Sequence, residues 1–377
     1  MTKLLSTSEL AADLELRDLT DPNSGAHAMQ TLLGDAVDAL ALQWDCALET
    51  HRPRPLVSIE DNYDRLGYDS AAIARDSRYS RYASETTMLR SHTSAGVPPV
   101  LRDLASSGLR PCDVLLALPG LTYRRDVIDR LHVGTPHQLD LWRIASHATL
   151  TPADLTAMVA TLVGAILPGA AWRVEAAEHP YTEHGLQIDV RTPSGDWIEL
   201  GECGLAASHV LAGAGLDPAV YSGLALGMGL DRALMLRKDI PDIRLLRATD
   251  PRVAAQMLDL APWVPVSMMP PTRRDLSIVA DADISGELLG DRARSALGRD
   301  VEVLESLAVR AVTPHEQLPD RARNRLGTEP GQANILLRVV FRPIGYTLTD
   351  EQANVLRDRV YAALHAGPYP EWAIKRS

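Results

Sequence analysis

"LQIDVRTPSGDWIELGECG", residues 186–204, decides the fold class. Leu186, Ile188 and Val190 alternate with polar residues, the period of a strand with one buried face. Residues 193–196 carry turn chemistry, and 197–204 return as a second strand. Two strands joined by so short a turn pair antiparallel, whereas a βαβ nucleotide fold needs a crossover. Further along, "GLALGMGLDRALMLRKDIPDIR" (223–244) reads as a close-packed glycine-rich strand that runs into a helix. Upstream, "TPADLTAMVATLVGAI" (151–166) reads as a helix: Thr151 caps it, Pro152 takes its first position and Asp154 completes a capping box. Apolar spacing predicts another helix over 28–45, stopped by "PRPLV" at 53–57.

"PWVPVSMMPP" (262–271) reads as a linker. Beyond it the pattern changes. "RDLSIVA" (274–280), "VEVLESLAV" (301–309), "ANILLRVVF" (333–341) and "EWAIKR" (371–376) read as strands. "SGELLGDRARSAL" (285–297) and "TDEQANVLRDRVYAAL" (349–364) read as helices. The order βαββαβ is that of a ferredoxin-like sandwich.

A chain of 377 residues suggests two or three domains and can bury a sizeable core. With 46% hydrophobic and 23% charged residues it has ordinary globular composition. The net charge of −11 argues against a general nucleic-acid coat or an anionic-membrane binder, though not against a local basic face for RNA. No apolar run is long enough for a transmembrane helix, and the N-terminus lacks an apolar signal core. Cys46, Cys112 and Cys203 are odd in number and far apart, which suggests a reducing cytoplasm and no metal-ligand spacing. Phe341 is the only phenylalanine, so the core must rest on aliphatic residues.

Three polar patches stand out. "YRRDVIDRLHVGTPHQLD" (123–140) reads as two polar strands joined by a loop. In it Arg124 and Asp126, and then Gln138 and Asp140, share parity and face one side. An arginine fork beside an amide and a carboxylate suits an anion and an ammonium group held together, as in an amino acid with ATP. A surface hairpin of salt bridges is the plainer alternative. "MLRSHTSA" (88–95) offers His92, Thr93 and Ser94 without a Ser-His-Asp arrangement. Thr93 or Ser94 can equally cap the helix that follows. "GLALGMGLDR" (223–232) lets backbone approach a flat ligand and brings Arg232 to a helix start, but it is neither GxGxxG nor a Walker loop. Tight helix–sheet packing explains those glycines as well.

In order and spacing these patches, together with "IEDNYDRL" (59–66) and "WIELGECG" (197–204), resemble the class II aminoacyl-tRNA synthetase motifs, most closely those of phenylalanyl-tRNA synthetases. "PPTRRDLSIV" (270–279) and "RPIGYTLTDEQ" (342–352) resemble that family's ferredoxin-fold anticodon-binding domain, fused here as in the single-chain organellar enzymes. The resemblance spans residues 55–377 and implies an aminoacyl-adenylate made from an amino acid and ATP with Mg²⁺, then passed to tRNA. It implies Arg124, His132 and Arg232 as catalytic residues, with Asp126, Pro136 and Glu199 also at ATP and Glu199 at Mg²⁺. It implies His92, Ser94, Gln138, Asp140, His179, Tyr181, Glu202, Cys203 and Ala225 around the amino acid. No residue acts as a covalent nucleophile, so catalysis rests on positioning and charge.

The departures carry information. Pro136 stands where the family stacks a phenylalanine on adenine, and Asp140 replaces its glutamate. In "EHPYT" (178–182), His179 and Tyr181 replace the two phenylalanines that grip the substrate ring, and Glu202 replaces a glycine. Such a wall is too polar for a benzyl group, unless His179 and Glu202 pair with each other and merely line it. Arg273, Arg274, Arg321, Arg323 and Arg325, with Tyr346, Tyr361 and Tyr369, are the candidates for RNA contacts, although "PDRARNRLG" (319–327) also reads as a solvated loop.

The expected molecule is therefore α+β. Residues 1–50 form a helical extension, 51–261 a class II catalytic domain with an antiparallel sheet flanked by helices, and 262–377 the ferredoxin-like domain. It activates an amino acid, phenylalanine first, and charges tRNA in the cytoplasm, with no membrane attachment and as a homodimer through the 28–45 helix. Two alternatives stay open: a paralogue that activates another amino acid or uses a non-tRNA acceptor, and an inert RNA-binding relic.

Overall fold

The computed structural model describes all residues except 1–3, 73–74, 77–78, 108–112, 147, 193, 267–269, 344–345 and 369–377. The chain divides into two compact units. The first holds Met1–Arg124, Thr135–Ile240 and Met257–Trp263, and the second Arg125–Gly134, Pro241–Gln256 and Val264–Ser377.

The first unit is built on a seven-stranded sheet. Its strands are β1 (Ala47–Thr50), β2 (Asp113–Leu121), β3 (His137–Ser146), β4 (Trp172–Ala176), β5 (Thr182–Arg191), β6 (Trp197–Ala206) and β7 (Tyr221–Gly229). They lie in the order β1-β2-β3-β7-β6-β5-β4. Only β1 and β2 run parallel; every other neighbouring pair is antiparallel, including the β5–β6 hairpin. Its longer helices are α1 (Ala28–Trp44), α2 (Val97–Ser106), α3 (Pro152–Ile166) and α4 (Leu230–Lys238).

Helix α1 buries Ala28, Met29, Leu32, Leu33, Ala36, Val37 and Leu40, the stripe expected from its spacing, and packs against α3. Thr151 and Asp154 form the capping box of α3 with Pro152 at its first turn. Residues 1–50, expected as a helical extension, also supply β1 at the sheet edge, so they are part of the first unit. On the other face of the sheet α2 packs over Leu116, Leu118, Trp142 and Ala225. A small sheet of Leu56–Ser58, Arg81–Tyr82 and Thr87–Leu89 completes the unit.

The expected strand through Arg124 and Asp126 is not formed. β2 ends at Leu121 and β3 begins at His137; between them Arg124 makes only an isolated bridge to Ser80. From Arg125 on, the stretch bonds within the second unit: Arg125 to Asp291, Arg294 to the Asp126 and Val127 carbonyls, and Ile128 in a bridge with Leu307.

The second unit has strands β8 (Thr272–Asp281), β9 (Leu304–Pro314) and β10 (Gln332–Phe341), antiparallel in the order β8-β10-β9. Helices α5 (Gly286–Leu297) and α6 (Asp350–Leu364) pack together over a core of Leu276, Ile278, Leu289, Ile335, Leu337, Phe341 and Val360. The expected strand over 301–309 starts late, because Gly298–Val303 is a 3-10 turn. A short helix, Asp320–Leu326, stands in the segment read as a loop. The strand expected over 371–376 lies outside the described residues. Tyr361 is buried and its ring stacks on His365 at 4.8 Å, so it is not available to a base; Tyr346 is exposed, and Tyr369 lies outside the described residues. Arg274 is held by Asp350 and Asn354, and Arg323 by Asp320 and the Leu318 carbonyl, whereas Arg273 and Arg321 are exposed.

Candidate active site on the glycine-lined sheet face

Strand register brings the site together. Asp140 of β3, Gly227 of β7 and Glu202 of β6 stand opposite one another, and opposed residues point to one face. On either side of that row Gln138 faces Gly229 and Trp142 faces Ala225. A Cβ at Gly229 would meet nothing within 4 Å, and one at Gly227 would come no nearer than 3.7 Å to the Asp140 carboxylate. These glycines leave open floor between carboxylates and are not demanded by tight packing. Gly201 is the contrast, since its Cβ would lie 2.3 Å from the Gly227 carbonyl oxygen.

Asp140 is buried and accepts hydrogen bonds from Thr93 Oγ1 (2.6 Å) and Trp142 Nε1 (3.4 Å). Burial raises its pKa, against the bonds from Thr93, Ser94 and Trp142. The Thr93 N–H donates to Gln138 Oε1 at 3.3 Å. Neither Thr93 nor Ser94 caps the following helix: α2 starts at Val97 after Gly96, with no side-chain cap. Their hydroxyls serve the carboxylate instead.

His92 stacks on Tyr68 (centroids 5.6 Å apart) and meets Tyr63 edge-on at 6.2 Å. Neither ring nitrogen has a hydrogen-bond partner among the described residues. Burial, then the Arg124 charge, hold His92 down to about 4, so it is neutral at pH 7. The buried Nε of Arg124 is likewise unpartnered among the described residues. Arg232 Nη1 donates to the Glu199 carbonyl at 2.8 Å. Desolvation, then Glu202, raise the Glu199 carboxyl, while Arg232 and Arg124 oppose the rise. Arg124, Arg232 and Glu199 thus share one electrostatic neighbourhood.

Glu202, whose charge acts on Glu199, also pairs with His179, Oε2 to Nε2 at 3.0 Å, and the other ring nitrogen of His179 lies 3.2 Å from Thr182 Oγ1. The Tyr181 ring lies 6.0 Å from His179, 6.3 Å from Trp142 and 6.3 Å from Tyr68. Gly67, at φ +84°, carries the chain past the Pro180 carbonyl and sets Tyr68 beside this group.

Cys203 does not belong to the site. It stands opposite Leu226, which stands opposite Leu141, so all three point to the far face of the sheet. Burial, then Glu202, push its thiol up to about 12, which leaves it inert. Pro136 is half-buried just before β3, and its carbonyl accepts from Thr122. His132 and Asp126 fall in the second unit: the His132 ring lies 2.8 Å from the Asp129 carboxylate, and Asp126 accepts from the Val127 N–H. The site described here is built without those two residues.

Against known proteins, residues 38–257 match the sequence profile of the tRNA synthetases class II core domain (F). The phenylalanine–tRNA ligase alpha subunit of Bifidobacterium adolescentis is 31% identical over 266 residues, 66% of this chain and 73% of that protein. The alpha subunit of Leifsonia xyli is 36% identical over 206 residues. The chain belongs to the class II tRNA synthetases. It spans little more than half of some relatives: 56% of the Leifsonia protein and 56% of the Nostoc punctiforme alpha subunit. Among solved structures, the pyrrolysyl tRNA synthetase of Desulfitobacterium hafniense is 15% identical with a TM-score of 0.44, over 59% of this chain and 73% of that one. None of the described helices is long and apolar enough to cross a membrane.

Within this synthetase core, sequence reasoning missed Tyr63, Tyr68, Trp142 and the acceptor role of Asp140 toward Thr93. It also missed a buried tie. The Leu19 N–H donates to His137 Nε2 (3.0 Å), so the proton sits on Nδ1 and points to Asp231 (3.1 Å). Asp231 also accepts the His137 backbone N–H, which fixes the first turn of α4 beside the start of β3 and so positions Arg232. With one phenylalanine in the chain, the scarcity of aromatics was the signal that each tyrosine near a motif counted.

Proposed function

We propose that the glycine-lined face binds an amino acid beside ATP and joins them as an aminoacyl-adenylate with release of pyrophosphate. The observation that carries this is the placement of Arg124, with an unspent buried Nε, in one charge neighbourhood with Arg232 and Glu199, on a unit whose open sheet floor ends at Gln138 and Asp140. The amino acid's carboxylate oxygen attacks the α-phosphorus, and the P–O bond to pyrophosphate breaks. Arg124 meets the developing charge at phosphorus, and Arg232 lies beside the adenine. Gln138 and Asp140 receive the α-ammonium group, with Thr93 and Trp142 fixing the Asp140 carboxylate. His92 stays uncharged and adds no repulsion there. Pro136 offers the adenine an apolar contact in place of a ring.

Among the described residues no three carboxylate, histidine or cysteine groups cluster as a metal site. Glu199 alone fits Mg²⁺ carried by the triphosphate, since that ion keeps waters and phosphates and takes one or two protein carboxylates. Bound there, Mg²⁺ supplies neutralisation of phosphate charge.

Transfer of the acyl group to tRNA follows the naming of the relatives as phenylalanine–tRNA ligase alpha subunits. The strand order β8-β10-β9 under two helices supports a ferredoxin-like anticodon-binding role for the second unit, with exposed Arg273 and Arg321 as phosphate contacts. A cytoplasmic place accompanies that substrate. A homodimer through α1 is supported by Leu42, 84% exposed on that helix, and by the fully exposed edge strand β1.

Phenylalanine is the first candidate substrate on the relatives' names. His179, Tyr181 and Glu202 in the wall support a second reading, a paralogue selective for another amino acid, while the contact between His179 and Glu202 leaves phenylalanine open. The unspent Arg124 and the retained Arg232 and Glu199 speak against an inert relic, which gains nothing from desolvated polar groups. Amino-acid-dependent ATP–pyrophosphate exchange tests the proposal: exchange with one amino acid upholds it, and exchange with none, alongside intact fold, overturns it. Arg273→Glu with Arg321→Glu should then slow tRNA charging while exchange persists; unaltered charging would remove those arginines from the RNA face.

A further inference from the structure

We infer that the pocket selects an amino acid with a flat aromatic side chain carrying an N–H or O–H donor at its rim, taken by Glu202 and Tyr68, over the plain benzyl side chain of phenylalanine; this rests on the activation proposed above.

The pocket has two polar ends on one face. Asp140 and Glu202 occupy one row, separated by side-chain-free Gly227. With neighbouring strands about 4.8 Å apart, their Cα atoms are roughly 10 Å apart. A single aromatic amino acid, its ammonium group at Asp140, bridges that span. Its walls are rings: His92 meets Tyr68, Tyr68 meets Tyr181, and Tyr181 meets both Trp142 and His179, at centroid distances of 5.6–6.3 Å. Such walls suit a flat side chain.

The far end is not apolar. Glu202 has one partner, His179, and its side chain is 40% exposed, so acceptor positions of the carboxylate remain unspent. Thr182 Oγ1 lies 3.2 Å from His179 Nδ1 and so sets the ring beside the carboxylate. Tyr68 lies within the fields of both Glu202 and Asp140, yet its hydroxyl makes no hydrogen bond among the described residues. A benzyl group filling this space would displace water and leave the carboxylate and hydroxyl uncompensated. A ring O–H or N–H restores the bond to Glu202. Sites built to bond such a group reject the analogue that lacks it far more strongly than apolar pockets reject an extra methylene.

The test uses the full chain in ATP–pyrophosphate exchange with phenylalanine, tyrosine, histidine, tryptophan and leucine. Expected is a kcat/KM for one donor-bearing ring at least about tenfold above phenylalanine. Glu202→Ala and, separately, the near-isosteric Tyr68→Phe should each lower that ratio, the first about tenfold. The ratio is the readout because a loss of folded protein lowers both substrates alike. Phenylalanine preferred or equal in the unaltered protein, or a ratio unmoved by both variants, overturns the inference. Exchange with none of the five while another amino acid supports it overturns the selectivity; exchange with no amino acid at all overturns activation itself, and titration calorimetry of the same five then decides the pocket. Tighter tyrosine, histidine or tryptophan binding than phenylalanine upholds the selectivity, and equal, weaker or absent binding overturns it.

Discussion

The two ends of the first unit's open sheet face differ in how their polar groups are spent. At one end Arg124 keeps a buried Nε without a partner and Arg232 bonds only a backbone carbonyl, while Glu199 sits in their field. These are residues to which the family resemblance assigns ATP. Beyond Glu199, whose carboxyl Glu202 also raises, His179 and Glu202 meet, and Tyr181 lies beside His179, Trp142 and Tyr68. Here the residue types depart from the family. Charges that meet phosphate must wait for it, so they stay uncommitted and admit little change. Groups that choose a side chain can be rewired in pairs without touching the reaction. On the proposed function, the departures therefore fall among the groups that select the side chain.

The largest effect that sharpens this contrast belongs to the charged end. Arg124→Ala and Arg232→Ala should each cut ATP–pyrophosphate exchange on the order of 10³-fold, the loss that follows removal of a preorganised charge donor. Arg124→Ala should not lower the thermal midpoint appreciably, because its Nε bonds nothing among the described residues, whereas Arg232→Ala frees the Glu199 carbonyl and should cost about 1 kcal/mol. Full exchange in either variant would break the assignment of that arginine.

Next in size is a pair of glycines. Gly201→Ala forces a Cβ against the Gly227 carbonyl at 2.3 Å, backbone against backbone, and should cost several kcal/mol or prevent folding. Gly227→Ala meets only the Asp140 carboxylate at 3.7 Å and should leave the urea midpoint nearly unchanged. It should instead raise KM for the amino acid, since it fills the floor. Equal destabilisation by both would mean that the floor is packed, not open.

Third is a pH effect. His92 is held at about 4 in the folded chain, against 6.5 when unperturbed. Above the unperturbed value both states carry neutral imidazole and nothing changes. As pH falls from 6.5 towards 4 the unfolded chain takes up a proton that the folded chain refuses, so stability falls across that window. The full loss is at most about 3 kcal/mol. Urea unfolding at pH 7 and pH 4.5, compared between the protein and His92→Gln, isolates it. An identical pH slope in both would show that His92 is not buried neutral. Arg124→Ala should narrow the window, because its charge contributes to the depression.

How far the sequence disclosed this molecule depended on the range of each interaction. The β5–β6 hairpin and helices α1 and α3 follow from period and caps within one segment, and they form where expected. The stretch through Arg124 and Asp126 alternates in polarity as a strand does, yet leaves the sheet, because Arg125, Asp126, Val127 and Ile128 bond to Asp291, Arg294 and Leu307, which no local pattern announces. β9 starts late, its first residues closing a 3-10 turn. Tyr68 follows a positive-φ glycine in irregular backbone, where no periodicity points at it. His137 and Asp231 are 94 residues apart, and only the fold joins them. Cys203 was misplaced because adjacency to Glu202 along a strand means opposite faces.

The smallest effect tests whether the two ends of the face are energetically separate. Thr93 stands at the amino-group end, donating through Oγ1 to Asp140 and through its N–H to Gln138. Thr93→Val keeps shape and backbone and removes one donor from a buried carboxylate that retains Trp142 and Ser94. The loss of that bond should cost about 1–2 kcal/mol of stability. It should also drive the Asp140 pKa further up, since burial is then less opposed. KM for the amino acid should rise several-fold while KM for ATP stays put, because neither Arg124 nor Arg232 touches Thr93 through any bond in the described residues. A parallel rise in both constants would mean that the face works as one coupled network, and the separation of chemistry from selection would fail with it.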